Sequence, residues 1–229
     1  MKLKTLKLTT LLAGIVGAGL MYLLYATGID EKGLLTRGHW AGIGLWCLTL
    51  AVGIFLLAGT RKEIPSSDNS TAAVLGCILA AGAFGMEGAT LLSTAANRLD
   101  LFLMALHLIC AGALIFETFR ILKGKPFPYW GNVLICVCFA LRMIGRYRLW
   151  SSNPQLMDYG FYMLAHVCLM LAAYQLSVRD AGTDNPKKRN FFTLAGAYFC
   201  IVCLCGGRDP FFMGAMGLWA LTRPSRQEG

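Results

Sequence analysis

The sequence predicts an all-α polytopic membrane helix bundle, and three observations carry the prediction. Of the 229 residues, 56% are hydrophobic and 14% charged, whereas a soluble domain carries about 25% charged residues. The apolar residues gather into eight runs separated by short polar segments. The basic residues favour every second segment, the pattern by which Lys and Arg are retained on the cytoplasmic side of a membrane. A chain this apolar cannot hide its surface from water, so lipid is the solvent that suits it. Residues 1–229 read as a single integral membrane domain.

The first apolar run, 8–28, follows a basic start with Lys2, Lys4 and Lys7. It lacks a small-x-small cleavage site and is followed by further spans, so it reads as an uncleaved transmembrane helix. The next runs are 39–59, 72–92, 99–122, 129–147 and 156–178. Each approaches the 17–25 residues, roughly, that cross a hydrocarbon core. The seventh, 191–206, is short, and the eighth, 211–221, is shorter still. Segments 1–7, 60–70, 120–128, 179–190 and 223–229 hold 14 of the 21 Lys and Arg residues. That distribution predicts eight crossings with both termini cytoplasmic, or seven if the last run re-enters or lies in the interface. The main exception is the basic cluster Arg142, Arg146 and Arg148, which falls outside. Small residues at four-residue spacing, Ala13/Gly17 and Ala81/Gly85, are expected to let helices pack closely.

Several classes are excluded. The net charge of +9 is spread over short loops and does not form the basic face of a nucleic-acid-binding domain. No segment is long enough for a soluble domain, and no P-loop is present. The nine cysteines lie almost wholly inside apolar runs, where they read as small buried hydrophobes and not as a disulfide framework. Cys200, Cys203 and Cys205 have no neighbouring His or carboxylate to complete a metal site. No cofactor and no metal are expected.

Charge inside an apolar bundle is costly, so intramembrane ionisable residues mark candidate sites. With the topology above, Glu87, His107, Arg142 and His166 fall in one layer, roughly 8–12 Å below the outer surface at 1.5 Å per residue. Four-residue spacing places Arg142, Arg146 and Trp150 on one face, and Asp158, Tyr162, His166, Met170 and Tyr174 on another. Glu87, Thr90 and Thr94 share a face, as do Asp100 and His107. The hairpins 72–122 and 129–178 are faintly alike, with His107 and His166 in corresponding places. The turn Arg208-Asp209-Pro210 could cap the layer from outside. Candidate ligand-binding residues are therefore Glu87, His107, Arg142, Arg146, Asp158, Tyr162 and His166. Two readings stand together: an ion-pair network that pins the bundle, or a pocket for a solute or ion.

The runs 148–159 (RLWSSNPQLMDY) and 163–174 (MLAHVCLMLAAY) resemble multi-pass membrane proteins of clostridial gut bacteria, a group to which no activity is attached. The resemblance implies a bacterial cytoplasmic membrane and no catalytic residue or cofactor.

The expected function is a small-solute or ion transporter or binding component. Arginines suit an anionic or zwitterionic solute through their planar donor fork. The alternatives are an accessory or scaffold subunit, with a membrane partner or further copies of itself, and an intramembrane lipid-modifying enzyme. No zinc-protease or serine-hydrolase motif supports the enzyme. Haem held between His107 and His166 is a further alternative.

Overall fold

The computed structural model describes residues 3–29, 35–36, 38–60, 70–94, 97–125, 128–150, 159–206 and 209–222, with the side chains of 70 and 148–150 left aside. Among them are eight α-helices: α1 Leu3–Thr27, α2 Trp40–Gly59, α3 Ser70–Thr94, α4 Arg98–Leu122, α5 Tyr129–Trp150, α6 Gly160–Asp180, α7 Pro186–Cys203 and α8 Pro210–Thr222. Each coincides with one apolar run. The helices start where polar side chains satisfy the first free N–H groups. Asn97 Oδ1 accepts from the Asp100 amide, and Asn185 Oδ1 accepts from the Lys188 amide with Pro186 in the first turn.

Five helices (α1–α4 and α6) are long and apolar enough to cross a membrane. Their outward faces carry large exposed hydrophobic side chains such as Ile15, Leu50, Ile54, Leu101, Leu108 and Phe119. Water would disfavour such a surface and lipid would not. α8 has 13 residues, about 20 Å of helix, well short of the roughly 30 Å of hydrocarbon core.

Helices α3 to α8 form a closed ring in which each packs on the next and α8 returns to α3; α1 packs on α7, and α2 lies outside against α1. Inside the ring Phe84, Phe139 and Phe212 meet edge to face, a favoured aromatic geometry. α8 runs antiparallel to α3: Phe212 faces Phe84, with ring centroids 5.3 Å apart, and Trp219 and Thr222 face Gly76. A Cβ on Gly76 would collide with the Thr222 hydroxyl and meet Trp219 Cα at 3.2 Å. Gly17 plays the expected close-packing part between α1 and α7, since a Cβ there would meet Val202 Cγ2 at 2.7 Å. Gly85 does not: it faces open space, so the Ala81/Gly85 spacing marks no helix contact at Gly85.

These packings set the depth of the α7–α8 turn. Asp209, the last residue before α8, lies level with Glu87 because both bind the same two arginines. α3 continues seven residues past Glu87 to Thr94, and α5 eight residues past Arg142 to Trp150. Asp209 therefore lies about 10 Å short of the neighbouring helix ends.

Candidate functional site

Arg142 projects from α5 into the ring and is 2% exposed. An isolated charge at such a place would be prohibitively costly, and its surroundings remove the isolation. Nη1 lies 2.7 Å from Glu87 Oε1 and 3.2 Å from His107 Nε2. Nη2 lies 2.9 Å from Asp209 Oδ2 and donates to the Tyr162 hydroxyl at 3.2 Å. Nε donates to His166 Nε2 at 3.1 Å. All three guanidinium nitrogens thus have partners, drawn from α3, α4, α6 and the α7–α8 turn. The plane rests on the Phe212 ring, 4.0 Å from its centroid, a cation–π contact from below.

The two histidines act alike. His107 Nδ1 is 2.6 Å from the Leu103 carbonyl, and His166 Nδ1 is 2.8 Å from the Tyr162 carbonyl, each one helical turn back. A carbonyl only accepts, so both Nδ1 atoms carry the proton. Both Nε2 atoms face an arginine donor and must offer a lone pair, so both rings are neutral in this arrangement. That equivalence matches the corresponding places of the two histidines in the sequence. It also removes the haem alternative: the two Nε2 atoms that would ligate iron accept from one guanidinium lying between them.

Arg146, one turn above Arg142, extends the layer toward the helix ends. Its Nη2 lies 3.0 Å from Glu87 Oε1 and 2.8 Å from Asp209 Oδ2. The Tyr162 hydroxyl donates to the same Asp209 oxygen at 2.6 Å. The layer holds two guanidiniums, two carboxylates and two neutral imidazoles, and its formal charge sums to zero. It is graded in exposure, with the Arg142 side chain 3% accessible, Glu87 17%, Asp209 29% and Arg146 34%. Exposure rises toward Arg146, and the Phe212 ring covers Arg142 on the other side.

Asp209 is the site residue that the sequence list omitted. Its turn was expected only to cap the layer, whereas its carboxylate is a member of it. The backbone of Asp209 has φ 44°, the left-handed region that costs a non-glycine residue about 1 kcal/mol or more. Burial alone would raise its carboxyl pKa, but the Tyr162 hydroxyl and the Arg146 and Arg142 guanidiniums outweigh burial and hold it below the usual range. Phe212 was likewise legible only as part of an apolar run.

Of the seven predicted residues, Glu87, His107, Arg142, Arg146, Tyr162 and His166 come together in this layer. Asp158 lies outside the described residues, as does the side chain of Trp150. Among the described residues, the carboxylate that joins Glu87 in the layer is Asp209. Thr90 and Thr94 are not in the layer: both are exposed and donate back to Met86 O and Thr90 O of their own helix. Tyr174 is 50% exposed, because a four-residue step overshoots a 3.6-residue turn and the stripe has rotated outward by then. Asp100 sits in the first turn of α4, seven residues from His107.

A second polar cluster lies at the opposite end of α5 and α6. The Asn132 amide donates to Asp180 Oδ2 at 2.7 Å, and Arg179 Nε and Nη2 bond Asp180 Oδ1 at 2.8 and 2.6 Å. Arg189 pairs with Asp184. Arg179 and Arg189, which the sequence pattern marks only as charges of the 179–190 segment, are both buried.

No family model, no curated protein and no solved structure matches the chain. The chemistry of the two clusters therefore carries the functional argument alone.

Proposed function

We propose that the protein is a membrane-embedded binding component or carrier for a small anionic or zwitterionic solute, taken at the open edge of the Arg142–Arg146 layer. The supporting observation is the pair of arginines sharing two carboxylates at an edge that is about one third exposed on one side and sealed by Phe212 on the other. A buried ion pair adds little net stability, since replacing such pairs by apolar packing is often neutral or stabilising. Retaining Arg146 at the exposed edge is what a charged ligand needs. Polar groups at membrane depth that face a wet cavity are the usual form of such sites.

In this reading the membrane is a bacterial cytoplasmic membrane with both chain ends on the cytoplasmic side. The short α8 and the depth of its turn favour six full crossings, α1 to α6, followed by a re-entrant α7–α8 hairpin entering from the cytoplasm. That arrangement keeps Arg223 and Arg226 inside, as eight crossings would. Non-helical backbone at membrane depth is tolerated where it is buried in protein or meets polar partners, and Asp209 meets that condition through Arg142, Arg146 and Tyr162. The test is a thermal-shift screen of the purified protein against small carboxylates, amino acids and phosphates at fixed ionic strength. A saturable, compound-specific stabilisation lost in Arg146→Gln supports the proposal, and stabilisation that survives unchanged in Arg146→Gln contradicts it.

A further inference from the structure

We infer that Asp209 is a tethered counter-ion occupying the place of the ligand, and that the ligand group which displaces it is a single carboxylate carried by a monoanion. This rests on the proposed binding role of the layer and assigns its ligand chemistry.

The geometry points to Asp209 because its bonds converge on one oxygen. Asp209 Oδ2 accepts from Arg142 Nη2 at 2.9 Å, Arg146 Nη2 at 2.8 Å and the Tyr162 hydroxyl at 2.6 Å. Those donors are held in place without it. Arg142 is fixed by Glu87, His107, His166 and the Phe212 face, and Arg146 by Glu87. Withdrawing Asp209 leaves a three-donor cradle already built, the preorganisation that makes binding efficient.

Charge then selects the ligand. Without Asp209 the layer holds two guanidiniums against the Glu87 carboxylate, so one positive charge is uncompensated. A monoanion restores neutrality and a dianion overshoots it, which a half-buried setting penalises. Guanidinium forks match carboxylate geometry, and the group now bound is itself a carboxylate.

Asp209 is also the member best able to leave. It is carried by the α7–α8 turn and not by a ring helix, and its side chain is 29% accessible, so its route to water is short. Its φ of 44° is a conformation that glycine would adopt more easily. An acidic side chain is kept where the backbone disfavours it, as at strained ligand clamps.

The experiment uses the full-length protein in nanodiscs, with sodium acetate replacing sodium chloride at constant ionic strength and thermal unfolding as the readout. Wild type is expected to show weak acetate stabilisation. Asp209→Asn, which removes the competing charge, is expected to lower the half-saturating acetate concentration at least tenfold. Sodium sulfate, which strengthens burial without a site, is expected to shift the two proteins equally. Should Asp209→Asn fail to fold, hydrogen exchange on the wild type decides: acetate is expected to speed exchange of the backbone amides in 204–209. An acetate affinity that Asp209→Asn leaves unchanged or weakens, or exchange there that is unchanged or slowed, overturns the tethered counter-ion. If acetate is inert in both proteins while another solute stabilises wild type but not Arg146→Gln, this inference falls and the binding role stands.

Discussion

Replacing Arg142 by methionine separates the contribution of its guanidinium from that of its bulk. Methionine keeps an unbranched apolar stem of similar length, so the cavity term is small. The polar losses can be enumerated. His107 and His166 are 1% and 2% exposed, and each Nε2 would lose its arginine donor while its Nδ1 stays on the carbonyl one turn back. A buried acceptor left unsatisfied costs roughly 1–3 kcal/mol, so the two rings account for about 2–6 kcal/mol. Glu87 and Asp209 would retain Arg146, but the layer would carry a net negative charge. Removing one partner of a buried ion pair costs about 3–5 kcal/mol by a separate route, and the two ranges agree. For a chain of this size that lowers Tm by about 6–20 °C. The assay is thermal unfolding of the purified protein followed by size-exclusion chromatography. Arg146→Met, whose side chain is one third exposed, should lower stability by no more than about 1 kcal/mol. Adding Glu87→Gln to Arg142→Met restores formal neutrality and should recover part of the loss, leaving the share due to the histidines. An Arg142→Met protein melting within about 2 °C of wild type would refute the claim that this guanidinium organises the layer.

Two further outcomes follow from the same geometry. Gly76→Ala should destabilise the protein by about 1–3 kcal/mol through overpacking, because the new methyl group meets Thr222 and Trp219 Cα; trimming the neighbour with Thr222→Ser should not rescue it, since the hydroxyl and the backbone contact remain. The Asp209 carboxyl is held below its ordinary value, so its stabilising contribution is full above that value and is lost as pH falls through the depressed one. The fall in melting temperature below about pH 4 should therefore be shallower in Asp209→Asn than in wild type.

The helices were legible because burial in lipid imposes long apolar runs, and all eight runs became helices. The layer was legible because depth can be counted along a helix once the crossings are ordered: residue spacing and the Lys/Arg distribution together place Glu87, His107, Arg142 and His166 at one level. Periodicity was less reliable at finer scale. Thr90 and Thr94 share a face with Glu87 on paper, yet a threonine hydroxyl can satisfy itself on the carbonyl one turn back, so it exerts no pull toward the layer. Asp209 could not be weighed properly, because its place depends on how deep a short hairpin sits, and that is fixed by packing of α8 against α3 at Gly76 and Phe84. Arg179 and Arg189 were counted as loop charges; their burial against Asp180 and Asp184 depends on how α5, α6 and α7 meet, which spacing along one helix does not reveal.

The central claim is that the open edge of this layer takes a solute, and Arg146 is the residue that separates that claim from a purely structural network. The decisive measurement compares ligand-induced stabilisation of wild type and Arg146→Gln in nanodiscs across small carboxylates and zwitterions at fixed ionic strength. At least one compound is expected to stabilise wild type saturably, while Arg146→Gln melts near wild type in chloride but does not respond. Equal responses in the two proteins, or none in either, would contradict the central claim.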